Sequence, residues 1–441
     1  MEVSMCDQGI RRVLKTVYLA AALLPAALLV ITGEMAHIGP YHIAARFFAV
    51  TGFAMLLLQP VLSARFRWVE RPFGLDGNLR FHRVAGLTAG VFAVLHPVFL
   101  SLGNGSFGLL TRLDTPWQIN AGKLTMVFIL LYGGAALFRA GLKIPFQLWL
   151  RMHNAGAPVI ITGAFLHSWF TAVQYMHPSL RAFWFGLGGL SLFSYLHLTV
   201  YQRLSARRNS LEITEVNRIT ASSWEIVMGK KPFSYLPGQF LFLTPLRGRG
   251  LPVEEHPFTI SSSPMREGSI TVTVKESGDF TASIGDTKPG DRAAVAGPYG
   301  RFSYVLHPDD RKIVFIAGGI GITPILSMLR HMTARPAGEE AWLFYANRTQ
   351  GDIAYREELD TMAADPASPL KGTVHILSSP DDGWTGERGR LSADILNRYV
   401  EGLQGCACYI CGPPPMMNAV AAILLEAGVD PGNIRMERFA L

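Results

Sequence analysis

Cysteine is scarce in this chain, with four among 441 residues. Cys6 stands alone while Cys406, Cys408 and Cys411 crowd together, a spacing that cannot staple distant segments and excludes a disulfide framework. No second cluster of thiols or histidines completes a metal site around those three. Acidic residues are outnumbered, 33 against 40 basic, giving a net charge of +7. The basic residues sit in short runs beside apolar stretches and form no continuous stripe, so nucleic acid is excluded as a partner. Internal repeats, low-complexity tracts, calcium-binding loops and the cysteine spacing of an iron–sulfur domain are all missing.

Charge of either sign makes up only 17% of the chain, against 49% hydrophobic residues and a mean hydropathy of +0.24. Those values suit a chain shaped half by lipid and half by water. Six apolar segments, near 13–33, 42–62, 80–102, 119–140, 151–172 and 181–203, approach the roughly 20 residues that a membrane-crossing helix needs. The first, an apolar run from Val13 to Ile31 behind basic residues, is too long for the core of a signal peptide and reads as an uncleaved span. Arg65, Arg67, Arg71, Arg139 and Lys143 follow spans two and four, and Arg11, Arg12, Lys15, Arg203, Arg207 and Arg208 flank the two ends. Positive charge favours the inner side, which predicts a multi-pass plasma (inner) membrane protein with both termini cytoplasmic.

Spans three and five then run parallel. The third carries His82 and His96 and the fifth His153 and His167, each pair 14 residues apart. That offset falls about 40° short of four helical turns, so each pair lies on one face, separated by about 21 Å. With 12 His in the chain, a histidine at a given offset has about a 3% chance, so two such coincidences argue against incidental packing residues. Facing pairs, His82 with His153 and His96 with His167, are suited to hold two haem irons with no open position, which favours electron transfer over oxygen binding. His37, His42, His177 and His197 lack such partners and read as structural. Arg46, a charge one turn into span two, either meets haem propionates or snorkels to the outer interface.

Beyond Leu211 the pattern turns to short runs rich in Val, Ile, Phe and Thr, such as Phe240–Leu243 and Ile270–Val274, which predict a small β-barrel. After Arg311, strand-like runs at Ile313–Ala317, Trp342–Tyr345, Val374–Leu377 and Cys408–Cys411 alternate with helical stretches, as in a parallel α/β sheet. The expected domains are therefore 1–206, 207–308 and 309–441. In the second, His256-Pro-Phe-Thr259 with Ser261 and Ser262 offers an aromatic surface and hydroxyl donors to a flavin ring and its phosphate. Lys275 through Gly278 to Thr281 supplies a turn suited to a pyrophosphate, and Gly297-Pro-Tyr-Gly300 a tight closing turn. In the third, Gly318-Gly319-Ile-Gly321-Ile322-Thr323-Pro324 follows a strand and opens a helix whose positive end faces a dinucleotide pyrophosphate. Cys411-Gly412-Pro413 ends another strand at the same sheet edge.

Taken together, Leu75-Asp-Gly-Asn-Leu-Arg-Phe-His82, the four spaced histidines, His256-Pro-Phe-Thr, Gly297-Pro-Tyr-Gly, Gly319-Ile-Gly-Ile-Thr-Pro and Cys411-Gly-Pro-Pro make the chain resemble the NADPH oxidase and ferric reductase superfamily over nearly its whole length. The resemblance implies a six-helix ferric-reductase-like domain followed by a ferredoxin-NADP-reductase-like module. It implies two b-type haems on His82/His153 and His96/His167. FAD is implied at His256, Pro257, Phe258, Thr259 and the Gly278–Thr281 turn, with NADPH, or alternatively NADH, at Gly319, Gly321, Thr323, Cys411, Gly412 and Pro413. Arg46 resembles an arginine near the outer haem where oxygen is reduced, Phe439 a terminal aromatic that shields the flavin, and Arg348 a residue on the ribose side that favours a 2′-phosphate. The expected acceptor on the far side is dioxygen giving superoxide, with a ferric chelate or an extracytoplasmic protein as alternatives.

Overall fold

The computed structural model describes residues 2–139, 141–173, 176–230, 232–246 and 254–437, with side chains from residue 9 onward. It divides into two compact units, Asp7–Tyr201 and a second holding Gln202–Leu441.

The first unit is helical. Its main elements are α1 (Glu2–Ile31), α2 (Pro40–Ser63), α3 (Leu75–Gly103), α4 (Trp117–Phe138), α5 (Phe146–Thr171) and α6 (Pro178–Leu196). Among the described residues five helical stretches are long and apolar enough to cross a membrane: Gly9–Ile31, Pro40–Ser63, Leu75–Gly103, Trp117–Phe138 and Pro178–Arg208. The fifth expected span corresponds to α5, which has the length, 26 residues, but stands outside that set. Arg151, His153, Asn154 and His167 lower its hydropathy; Arg151 is exposed, and the other three are half-buried. Outward-facing apolar side chains such as Leu130, Leu131 and Phe193 remain exposed, whereas Leu29, Ala54, Leu57, Ala89, Leu180 and Trp184 form the core between α1, α2, α3 and α6. Such an inverted surface is stable only in lipid. Glycines let α4 and α5 approach closely: a Cβ on Gly163 would strike Thr125 and one on Gly156 would strike the Tyr132 hydroxyl.

In the second unit, β1 (Leu211–Thr220), β2 (Ser223–Gly229), β3 (Phe240–Pro245), β4 (His256–Thr259), β5 (Ser269–Lys275) and β6 (Arg292–Tyr299) form an antiparallel sheet in the order β4-β3-β6-β1-β2-β5. Alternate residues fill its core, among them Ile213, Ile226, Met228, Leu241, Leu243, Ile270 and Val272. The outer strands of that order approach each other at a single bridge, Ile260 with Val272, where the expected barrel would close.

The remaining strands, β7 (Lys312–Gly318), β8 (Glu340–Asn347), β9 (Leu370–Leu377), β10 (Glu387–Arg388), β11 (Ala407–Cys411) and β12 (Ile434–Glu437), pair in parallel in the order β10-β9-β8-β7-β11-β12. Helix α7 (Ile322–Ala334) packs one face with Ile322, Ile325, Leu326, Met328, Leu329 and Met332 fully buried. At about 1.5–3 kcal/mol per buried side chain, this face anchors the helix against β7. The chain steps outward from β7 to β10 and then returns to the other side of β7 at β11. The point where strand order reverses is therefore the gap between β7 and β11.

Candidate functional site

In the membrane unit the four histidines meet in the two expected pairs. The ring centroids of His82 and His153 are 6.0 Å apart with planes at 87°, and those of His96 and His167 are 6.4 Å apart at 61°. Two imidazoles on opposite sides of one iron, each with a bond of about 2 Å and a ring centre about 1.2 Å beyond the nitrogen, place their centroids about 6.3 Å apart. Both separations therefore fit a shared metal. Helix α3 packs mainly along α2 and α5 along α4, so the backbones of α3 and α5 stay apart. No group of three or more His, Cys, Asp or Glu side chains suited to a metal ion occurs among the described residues. Two-ligand sites of this kind suit an iron whose other four ligands come from a porphyrin.

The outer pair has a feature that the sequence did not announce. His96 Nδ1 lies 2.9 Å from the Ala45 carbonyl and His167 Nδ1 lies 2.8 Å from the Gln118 carbonyl. A carbonyl only accepts, so each ring donates its Nδ1 proton and leaves the Nε2 lone pair free for a metal. Gly122 makes the second contact possible, because a Cβ there would fall 2.5 Å from His167 Nδ1. In the inner pair the Nδ1 atoms of His82 and His153 are buried with no hydrogen-bond partner among the described residues. The His153 ring instead lies 5.2 Å from Trp149 and 6.4 Å from Tyr132. Arg46 is exposed on α2, and its guanidinium donates to the Glu34 carbonyl; the adjacent Ala45 carbonyl is the one that holds His96. His42, expected to be structural, is tied to Asn104 Oδ1 at 3.1 Å.

In the second unit, β4 displays His256, Pro257, Phe258 and Thr259 against β3. The His256 ring stacks on Phe280 at 3.8 Å, and Phe258 lies 6.5 Å from the same ring. Burial lowers the His256 pKa, and the Glu254 carboxylate at 3.3 Å works against that effect. Ser261 and Ser262 are fully buried and their groups bond to protein: Thr273 Oγ1 donates to Ser261 Oγ at 2.9 Å, and Tyr235 Oη lies 2.8 Å from Ser262 Oγ. Thr281 Oγ1 accepts from the Ser277 and Gly278 amides, drawing the 277–281 turn closed, while Gly278 faces open space. Lys275 reaches toward the other motif, with Nζ 3.9 Å from where a Cβ on Gly319 would stand.

The two glycine-bearing turns interlock at the reversal point. A Cβ on Gly321 would strike the Cys411 carbonyl, one on Gly318 would strike Met416 Sδ, and one on Gly412 would lie 3.1 Å from the Gly318 backbone. Gly319 has φ +53°, a conformation open to glycine. Thr323 is buried and donates to the Ile320 carbonyl, and Pro324 stands in the first turn of α7. Cys411 is fully buried and burial raises its pKa well above the usual thiol value, so it remains a neutral thiol. Arg348 is exposed just beyond β8. Phe439 lies outside the described residues.

Known families match the chain domain by domain. The family profile described as "Ferric reductase like transmembrane component" matches residues 48–164, "FAD-binding domain" matches 208–302 and "Oxidoreductase NAD-binding domain" matches 315–422. The glycine betaine monooxygenase reductase subunit of Pseudomonas aeruginosa is 31% identical over 244 residues, 52% of this chain and 65% of that one. The NADH-cytochrome b5 reductase 2 of Scheffersomyces stipitis is 33% identical over 170 residues, 37% of this chain and 56% of its own. The chain thus spans less than two thirds of the length of these relatives. The flavohaem-like FAD/NAD-binding domain of nitric oxide dioxygenase from Vibrio cholerae superposes with a TM-score of 0.46 at 20% identity, covering 52% of this chain and 97% of that one.

Helices long and apolar enough to cross a membrane are thus joined in one chain to matches for FAD-binding and NAD-binding domains. The chain carries, in order, a ferric-reductase-like transmembrane component, a FAD-binding domain and an oxidoreductase NAD-binding domain.

Proposed function

We propose that this oxidoreductase takes hydride from NADPH onto FAD and passes single electrons through two b-type haems to an acceptor on the outer side of the plasma membrane, first of all dioxygen, giving superoxide. The observation that carries the reading is the spacing of the two histidine pairs, each at the separation that one shared iron requires. His82 and His153 would hold the inner haem and His96 and His167 the outer one. FAD supplies the change from two-electron to one-electron chemistry when bound.

The chain's own groups have definable parts in this scheme. The Ala45 and Gln118 carbonyls hold two imidazoles in the tautomer that ligates iron. The start of α7 directs backbone N–H groups at a dinucleotide pyrophosphate, and Lys275 adds a positive charge beside Gly319. Exposed Arg46, next to the residue that holds His96, favours an anion such as superoxide near the outer pair. The same exposure makes it accessible to an anionic ferric chelate, which is the second reading. Basic residues after spans two and four support cytoplasmic termini and a cytoplasmic FAD/NAD(P) module.

The acceptor is decided on purified protein in a lipid disc. NADPH-driven superoxide formation that dismutase abolishes is expected in air, with anaerobic ferric-chelate reduction slower. Absence of any oxygen-dependent product assigns the acceptor to iron or to an extracytoplasmic protein. Preference between nicotinamides is expected to depend on Arg348. Arg348→Ser should raise KM for NADPH about tenfold, through loss of a charge-assisted bond to the 2′-phosphate, and leave NADH kinetics unchanged. Equal effects on both cofactors would remove Arg348 from that role.

A further inference from the structure

Helix α7 begins at the glycine-rich turn, and two later side chains on it reach the flavin-domain segment that follows β4. Ser327 Oγ donates to the Ser262 carbonyl at 2.8 Å, and Arg330 Nη1 donates to the Ser261 carbonyl at 2.9 Å. The other edge of the guanidinium forms a bidentate pair with Glu358, at 2.6 and 2.7 Å, on the helix Arg356–Ala364. The guanidinium lies over the Tyr355 ring at 5.1 Å. Tyr355 Oη donates to Glu225 Oε1 at 2.9 Å and lies 2.6 Å from Thr273 Oγ1, which donates to Ser261 Oγ at 2.9 Å. Glu225 itself is 4.0 Å from Arg330. Five segments, three of the flavin domain and two of the nucleotide domain, thus meet at one largely buried arginine.

Apolar packing alone could hold two domains together, and interfaces between domains of one chain are ordinarily weak enough to shift. A buried ionic hub adds registry, because a charged group that slides off its partners is left unpaired in a poor solvent. Hydride transfer needs that registry: the hydride carries two electrons and one proton from the nicotinamide ring to the flavin ring, and a misplacement of about 1 Å costs about 100-fold. We infer that Arg330 is a positioning residue which, through α7, fixes the nucleotide turn at Gly318–Thr323 relative to the flavin strand β4. The inference rests on the proposal that NADPH reduces FAD.

The test uses the full-length, FAD-loaded protein with Arg330→Met, Arg330→Lys and Tyr355→Phe. Flavin reduction at saturating NADPH is followed by stopped flow, NADP⁺ affinity by titration, and exchange of the Ser261 amide, which donates to the Thr271 carbonyl, by hydrogen–deuterium exchange. Arg330→Met should slow flavin reduction about 30- to 100-fold, with NADP⁺ affinity changed less than about threefold, FAD content retained and Ser261 exchange accelerated. Lysine keeps the charge but not the fork and should restore part of the rate. Tyr355→Phe removes the Oη contacts to Glu225 and Thr273 and keeps the ring, and it should slow reduction about three- to tenfold. A wild-type rate in Arg330→Met, or a rate that falls only in proportion to lost FAD, overturns the inference. Wild-type protein that neither nicotinamide reduces would overturn the functional reading and this inference with it.

Discussion

Replacing His167 with alanine should leave a protein that NADPH still reduces at the flavin and at one haem, but in which electron delivery to the outer acceptor falls to background, at least about 100-fold. The haem-to-FAD ratio should drop from two to one. His167 is chosen because its Nδ1 is already committed to Gln118, so only Nε2 remains to bind iron. His96→Ala should behave alike, its Nδ1 being held by Ala45. His82→Ala and His153→Ala should differ: reduction should stop at the flavin, because the break comes earlier in the series. Reduced-minus-oxidised spectra of the four variants read this order directly. Retention of two haems in any of them, with outer-side reduction intact, removes the proposed ligand set.

Much of this arrangement is legible in the sequence, since a 14-residue spacing on two helices is a periodic signal that folding in a bilayer preserves. The same is true of the strands at Lys312–Gly318 and Ala407–Cys411, where apolar runs end in glycine turns. What could not be read is the set of partners supplied by backbone. The Ala45 and Gln118 carbonyls belong to residues of no chemical distinction, and only helix packing brings them to the histidines. Gly122 is the nearest thing to a sequence signal, one turn beyond Gln118, yet its meaning depends on how closely α5 approaches. Arg330 illustrates a different limit. Its neighbours Glu225, Ser261, Thr273, Tyr355 and Glu358 are scattered over more than a hundred positions, and spacing carries no information about contacts made across domains. The expected fifth span, α5, stands outside the helices apolar enough to cross a membrane, because Arg151, His153, Asn154 and His167 lower its hydropathy.

Gly321→Ala tests the nucleotide site at its most crowded point. An added Cβ would meet the carbonyl carbon of Cys411 at 2.5 Å and the Gly412 nitrogen at 2.8 Å. These are backbone atoms at the end of β11, a strand paired along its length with β7, so they cannot rotate away as a flexible side chain would. Relief requires the turns after β7 and β11 to separate, at a cost of about 1–3 kcal/mol of stability. Because both turns contribute to the same edge of the sheet, their separation would divide the dinucleotide site proposed there. We expect NADPH-driven flavin reduction to fall at least about 100-fold, with FAD and haem content unchanged, since a shift of about 1 Å is enough for that loss. Gly351→Ala is the matched control, a glycine of the same domain with no atom within 4 Å of the new Cβ, and should reduce flavin at the wild-type rate. Should Gly321→Ala also retain that rate and wild-type NADP⁺ affinity, the two turns do not form one site and the nicotinamide must bind elsewhere on the module.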